Sequence, residues 1–181
     1  MIIGIIGGDD RAVAIGRLLR KCGHTITFSD PNAKDAALHA TQALGGEIPV
    51  TTPYEQAANC EAIVLAVHWD DLDRTLTALG SYKDGMVIDA TRPPKITGTS
   101  GAEMLARKLD NRHVVKAFVD NIEPGQPVRV ASDDPEARQQ VESTIVACGG
   151  TVEDMGPLSR AIEIERTYAV STEARMGRTQ A

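Results

Sequence analysis

Residues 1–30, MIIGIIGGDDRAVAIGRLLRKCGHTITFSD, decide the fold. Met1 to Ile6 is a short, almost wholly apolar run rich in β-branched residues, as expected of a strand buried on both faces. Gly7-Gly8 permits a tight turn with positive φ. From Arg11 to Lys21 the apolar residues Val13, Ile15, Leu18 and Leu19, followed by basic residues, predict a helix buried on one side. Cys22-Gly23 stops that helix. His24 to Phe28 is the next strand, ended by Ser29-Asp30-Pro31. A strand feeding a helix through glycines, with an acidic residue at the tip of the following strand, is the layout of a dinucleotide-binding βαβ unit.

The glycine turn departs from the usual pattern. Registered on Gly7, G-x-G-x-x-G reads Gly7-Gly8-Asp9-Asp10-Arg11-Ala12. The second glycine, which lets the backbone approach a pyrophosphate, is Asp9; the third is Ala12, an accepted change. Two like charges about 4 Å apart repel by ~1 kcal/mol in bulk water and ~4 kcal/mol near a protein surface. A helix N-terminus returns only about 0.3–1 kcal/mol to an exposed anion. An Asp9 facing a pyrophosphate would therefore oppose it. The other reading is that Asp9 or Asp10 is the N-cap of the helix, taking amides a phosphate needs. Arg11 can offset the charge or reach a phosphate itself.

The totals bound the class. A chain of 181 residues suits one domain with at most a small appendage. Hydrophobic residues make up 42% and aromatics 3%, which predicts an aliphatic core of the kind found in parallel α/β sheets. A net charge of −6 argues against nucleic acid as a partner. The sequence has no long apolar run to cross a membrane and no signal peptide, so a cytoplasmic protein is expected. Cys22, Cys60 and Cys148 are odd in number and far apart, which predicts buried thiols rather than disulfides or zinc. His24, His39 and His113 have no partner at ligand spacing, so no metal site is expected.

Further along, 32–44 predicts a helix ended by Gly45-Gly46, and 47–50 a short strand. Thr52-Pro53-Tyr54-Glu55 and Ser100-Gly101-Ala102-Glu103 are capping boxes that open helices. Buried strands are expected at 62–67, 86–89, 113–117 and 128–131, with a last short one at 151–153. Helices should follow His68-Trp69-Asp70-Asp71 and Asp134-Pro135, and another should run from Leu158 to about Met176. Strands alternating with helices predict an α/β fold: a doubly wound, mainly parallel Rossmann-type sheet with helices on both faces and a C-terminal helical extension. Residues 1–157 form the dinucleotide-binding domain in this reading, and 158–181 a helix and tail that offer a dimer contact.

Ligands in such sheets sit at the carboxyl ends of the strands. That selects Gly7 to Ala12, Ser29, Asp30, Val67, His68, Trp69, Ala90, Thr91, Arg92, Ala117 and Phe118. His68 is either a hydrogen-bond donor or general acid, or a polar residue capping the next turn. Trp69 either stacks on a ring or packs a loop onto the fold. Arg92 either clamps an anion or makes a surface ion pair. Asp89 anchors the Thr91–Pro94 loop.

Gly4-Ile5-Ile6-Gly7, Gly23-His24, Leu65-Ala66-Val67-His68-Trp69, Val87-Ile88-Asp89-Ala90-Thr91, Gly98-Thr99-Ser100-Gly101-Ala102-Glu103, Val114-Val115-Lys116-Ala117-Phe118 and Gly156-Pro157-Leu158 occur in an order and spacing that resembles the deazaflavin-dependent NADP oxidoreductases. The resemblance runs over nearly the whole chain. It implies a Rossmann-type NADP domain, usually a homodimer, that moves a hydride between nicotinamide and a deazaflavin, flavin-like or other ring acceptor. The departures are specific. The family's second strand usually ends in Gly-Ser-Arg, which takes the 2′-phosphate of NADP; here Phe28-Ser29-Asp30 has no arginine. An acidic residue there binds ribose hydroxyls and repels a 2′-phosphate, so NAD is favoured over NADP. His68 stands where proline is usual, and Arg92 and Val119 where asparagines are. The expectation is an oxidoreductase with NAD(P) along Gly7 to Ala12 and Asp30 and hydride transfer near His68 and Phe118. The alternative is a repurposed Rossmann domain binding another small molecule or a protein partner.

Overall fold

The computed structural model describes residues 1–31, 34–94, 98–120 and 126–168. The glycine turn organises it as expected. Strand β1 (Ile2–Ile6) leads into helix α1 (Asp10–Lys21) and strand β2 (Thr25–Ser29). Helices α2 (Lys34–Ala43) and α3 (Pro53–Asn59) precede β3 (Ala62–Leu65). A 3-10 turn (Trp69–Asp71) runs into α4 (Leu72–Leu79), followed by β4 (Met86–Asp89), α5 (Gly101–Leu109) and β5 (Val114–Lys116). Then come β6 (Pro127–Ala131), α6 (Pro135–Ala147) and β7 (Thr151–Gly156). A 3-10 turn at Leu158–Arg160 leads into α7 (161–168). The remainder of the helix expected to reach Met176 lies outside the described residues, as do Asn32 and Ala33 at the start of the α2 region.

The strands form one sheet in the order β2-β1-β3-β4-β5-β6-β7. The first five run parallel; β6 meets β5 antiparallel, Lys116 opposite Ala131, and β7 runs parallel to β6. Both faces are covered. Ile3, Ile5, Val64 and Ile88 pack under α1, α2 and α6 through Ile15, Leu19, Ala40, Val141 and Ile145. Ile6, Ile63, Leu65 and Val87 pack on the other face under α4, α5 and α7 through Leu72, Leu105, Ala161 and Ile164. The side-chain alternation of each strand thus feeds two aliphatic cores. Gly4 is required by packing rather than by a ligand, because a Cβ there would come within 2.8 Å of the buried Gln56 side chain. Gln56 in turn donates to Thr27 O at 3.2 Å and ties α3 to the sheet.

Four expectations are corrected. The segment 47–50 forms one isolated bridge, Val50 beside Phe28, rather than a strand. Phe28 N donates to Pro49 O and Thr51 N to Phe28 O, and Pro49 has no N–H with which to extend a ladder. The last strand is longer than expected, running to Gly156 beside β6. Phe118 does not face the crevice: it adopts φ 58° and its ring is buried in the α1–α6 core. Finally, Cys22 and Cys148, expected as thiols, are paired in a disulfide with Cα atoms 5.3 Å apart. Each caps the C-terminus of a helix on the same face of the sheet, which brings them together although they are 126 positions apart. Cys60 remains a free thiol.

Candidate functional site

The chain passes from β1 to β2 on one side and returns to β3 on the other, so the topological switch point lies at the carboxyl end of β1. The glycine turn sits there. Gly7 adopts φ 131°, and a Cβ would lie 2.4 Å from the Ala66 carbonyl oxygen. Its amide donates to Ser29 O at 2.8 Å. Gly8 is pressed by α2, where a Cβ would meet the Ala36 carbonyl carbon at 2.4 Å. The glycines therefore allow close approach of three backbone segments around the start of α1.

Asp9 is the N-cap of that helix, and its Oδ1 accepts from Ala12 N at 2.9 Å. Ala12, in the third-glycine position, is fully buried. Asp10 is exposed in the first turn. Arg11 turns away from solvent and crosses the ends of two other strands. Its Nη1 donates to Ala90 O at 2.8 Å and its Nη2 to Val67 O at 3.3 Å, while Asp9 Oδ2 lies 3.6 Å from Nη2. The side chain is 8% exposed and its Nε is buried with no hydrogen-bond partner. Burial lowers the Arg11 pKa, the Asp9 carboxylate works against that shift, and the Arg92 guanidinium adds to it. The group nevertheless stays charged, since a guanidinium does not deprotonate in proteins.

Arg92 approaches from the loop after β4. Its Nε donates to Val119 O at 2.7 Å, and its guanidinium lies 4.2 Å from the centroid of the Tyr168 ring. The crevice beyond β3 and β4 thus holds two guanidinium groups that act on one another.

The other expected residues divide. Val67 and Ala90 contribute carbonyls to Arg11. Asp30 stands half-buried at the end of β2 and already interacts within the chain. Ser29 is fully buried and its hydroxyl donates to Gln56 Oε1 at 2.9 Å, so its side chain serves the scaffold. Thr91 is fully buried, with its amide and hydroxyl both donating to Asp89 Oδ1 at 2.9 and 2.6 Å. Asp89 therefore anchors this loop, as its sequence position suggests. His68 is exposed at the N-cap position of the 3-10 turn, without a side-chain capping bond. Trp69 packs its ring against Gly101, where a Cβ would come within 2.8 Å. It holds the loop onto the fold. No group of three or more His, Cys, Asp or Glu among the described residues is arranged to hold a metal.

A buried ionic cluster beneath the crevice was not anticipated. Lys116 Nζ donates to Asp89 Oδ2 at 2.8 Å and Thr91 O at 2.9 Å, and lies 3.0 Å from Glu165 Oε1. Glu165, on α7, also accepts from the amides of Gly101 and Ala102 at 2.9 and 3.2 Å, capping α5. The lysine and both acids are at most 1% exposed. A lysine within the apolar run Val114 to Phe118 was the available signal, since such a residue needs a buried counter-charge.

Comparison with known proteins agrees with this architecture. Residues 2–93 match the profile of the family described as NADP oxidoreductase, coenzyme F420-dependent. Among solved structures, a protein from Arthrobacter sp. FB24 described provisionally as an F420-dependent NADP reductase is 19% identical. That match has a TM-score of 0.79 and covers 98% of this chain and 94% of that one. A hypothetical protein from Sinorhizobium meliloti is 17% identical over 89% of this chain and 87% of its own, with a TM-score of 0.75. A reductive aminase from Aspergillus terreus, solved with NADPH and ethyl-5-oxohexanoate, is 16% identical with a TM-score of 0.72. That match covers 97% of this chain but 62% of the aminase. At such identities the structures establish the fold. No described helix is long and apolar enough to cross a membrane. The profile spans half the chain and contains the glycine turn, Asp30, Val67 and Arg92, and the chain belongs to the family of coenzyme F420-dependent NADP oxidoreductases, within the nicotinamide-dependent oxidoreductases.

Proposed function

We propose that this chain is a nicotinamide-dependent reductase that prefers NAD(H) to NADP(H) and exchanges a hydride with a deazaflavin-like or other small ring acceptor. The observation that carries the reading is the Asp9–Arg11 pair at the start of α1. The carboxylate that would repel a diphosphate caps the helix and lies 3.6 Å from a cation. The buried, unpartnered Arg11 Nε fits an oxygen-rich ligand, because it leaves a donor to be satisfied. In this reading the first turn of α1 receives the diphosphate and Asp30 the adenosine ribose. Arg92 lines the nicotinamide half with His68 at its rim, and Ala90 and Thr91 form the buried strand end beneath it. The nicotinamide supplies the hydride chemistry when bound, and the chain's residues hold and orient it. Two copies of the chain are expected to associate.

A second reading has its own support. Asp9 takes the Ala12 amide, one of the donors a diphosphate uses. That favours a repurposed domain that binds another small molecule or a protein partner. Titration with NADH and NADPH, followed by ligand fluorescence and thermal shift, separates the two. The first reading expects saturable binding, tighter for NADH. Absence of binding to either at millimolar concentration would overturn it in favour of the second.

A further inference from the structure

We infer that Arg11 makes the crevice selective for the redox state of its ligand, admitting the reduced, uncharged nicotinamide ring and disfavouring the oxidised, cationic one. This inference rests on the proposed nicotinamide reading.

The argument begins with the switch point. A dinucleotide laid across it has its diphosphate at the start of α1 and its two halves to either side. Asp30, at the end of β2, marks the adenosine side. The nicotinamide half then belongs to the other side, beyond β3 and β4. Arg11 reaches that side, with hydrogen bonds to the carbonyls of Val67 and Ala90.

The charge it carries there is permanent and little hydrated. The side chain is 8% exposed, and two carbonyls hold the guanidinium in place. Arg92 brings a second guanidinium into the same half, close enough to depress the Arg11 pKa. Among the described residues Asp9 alone is ion-paired with Arg11, on the turn side where it also serves as the helix cap, while the Asp89 carboxylate that also acts on Arg11 is taken by Lys116. Coulomb interactions strengthen as water is excluded, so a further positive charge entering this half meets a larger penalty than it would in solvent. The two redox forms of the ligand share their adenosine and diphosphate portions and differ by one positive charge on the nicotinamide ring. Of the two guanidinium groups in this half, Arg11 is the one fixed on the strand-end carbonyls of Val67 and Ala90, and an apolar side chain there would remove most of the discrimination.

Calorimetric titration of the whole chain with NADH, NAD+, NADPH and NADP+ tests this. The expected result is that each reduced form binds at least tenfold more tightly than its oxidised partner. In R11M, which keeps the length and removes the charge, the ratio should fall to threefold or less. In R11K, which keeps the charge, it should stay above threefold. A wild-type ratio near one, or a ratio unchanged in R11M, overturns the inference while leaving the nicotinamide reading standing. Failure of wild type to bind any of the four overturns both. The wild-type ratio and R11K decide the matter if R11M proves unfolded by thermal melt.

Discussion

Arg11 Nη1 donates to the carbonyl oxygen of Ala90 at 2.8 Å across 79 positions of sequence. One side chain from the first helix thereby closes the carboxyl ends of β3 and β4 against the glycine turn. The same helix begins at Asp9, so a cap, a charge and a strand contact are concentrated within three consecutive residues. Substitutions there should separate stability from ligand affinity.

Asp9 gives the clearest separation. D9A should destabilise the fold by about 1 kcal/mol through loss of the cap, and D9G by only a few tenths. Both remove a negative charge from the turn, so both should tighten NADH binding. Urea denaturation reads the first effect and NADH titration the second. Unchanged NADH affinity in D9G would show that the carboxylate does not oppose the diphosphate.

Lys116 should be far more costly to replace. K116M would leave the Asp89 and Glu165 carboxylates buried without their shared cation. Breaking a buried ion pair in this way costs roughly 3–5 kcal/mol. Combining K116M with D89N and E165Q should recover part of the loss, because no uncompensated charge remains. Denaturation midpoints of the single and triple variants provide the measurement.

The disulfide has a chemical readout. Among the three cysteines, Cys60 alone should react with a thiol reagent in denatured, unreduced protein; after reduction all three should. In the native state Cys60 should react slowly, since burial raises its thiol pKa. Reduction of Cys22–Cys148 should lower stability by about 2–4 kcal/mol, chiefly by releasing a constraint on the unfolded chain.

Tyr82 gives a pH signature. Burial pushes its phenol up to about 12, and its hydroxyl donates to Cys60 O at 3.0 Å. The folded pKa lies above the unfolded value near 10. The stabilisation is therefore fully present below about pH 10 and is lost as pH rises towards 12. Tyrosinate absorbance should show one of the three tyrosines titrating late. In Y82F that late step should vanish.

The parts of this fold that sequence alone discloses are those specified by neighbouring residues. The glycine turn, the Asp9 cap and both capping boxes, Thr52 with Glu55 and Ser100 with Glu103, involve residues at most three apart, and all form. The buried strands announce themselves by composition. What stays hidden depends on contacts between distant segments. The direction of the Arg11 side chain is set by carbonyls that β3 and β4 bring to it. Glu165 finds Lys116 only because α7 folds back over α5. Ser29 and Thr91 lie at the strand ends that the ligand rule selects, yet Gln56 and Asp89 claim their hydroxyls. Phe118 is misplaced by a strand reading because its backbone is left-handed, which rotates the ring into the opposite core.

The outermost strand, β7, ends the sheet with Glu153 and Asp154 exposed. Were two copies to extend the sheet by joining β7 to β7, the exposed Glu153 carboxylates would be brought together along the seam, Asp154 being ion-paired with Arg138 at 3.2 Å. Like charges facing one another across strands are destabilising. Joining of two copies through β7 is thereby disfavoured, and the sheet does not propagate as a ribbon from this edge.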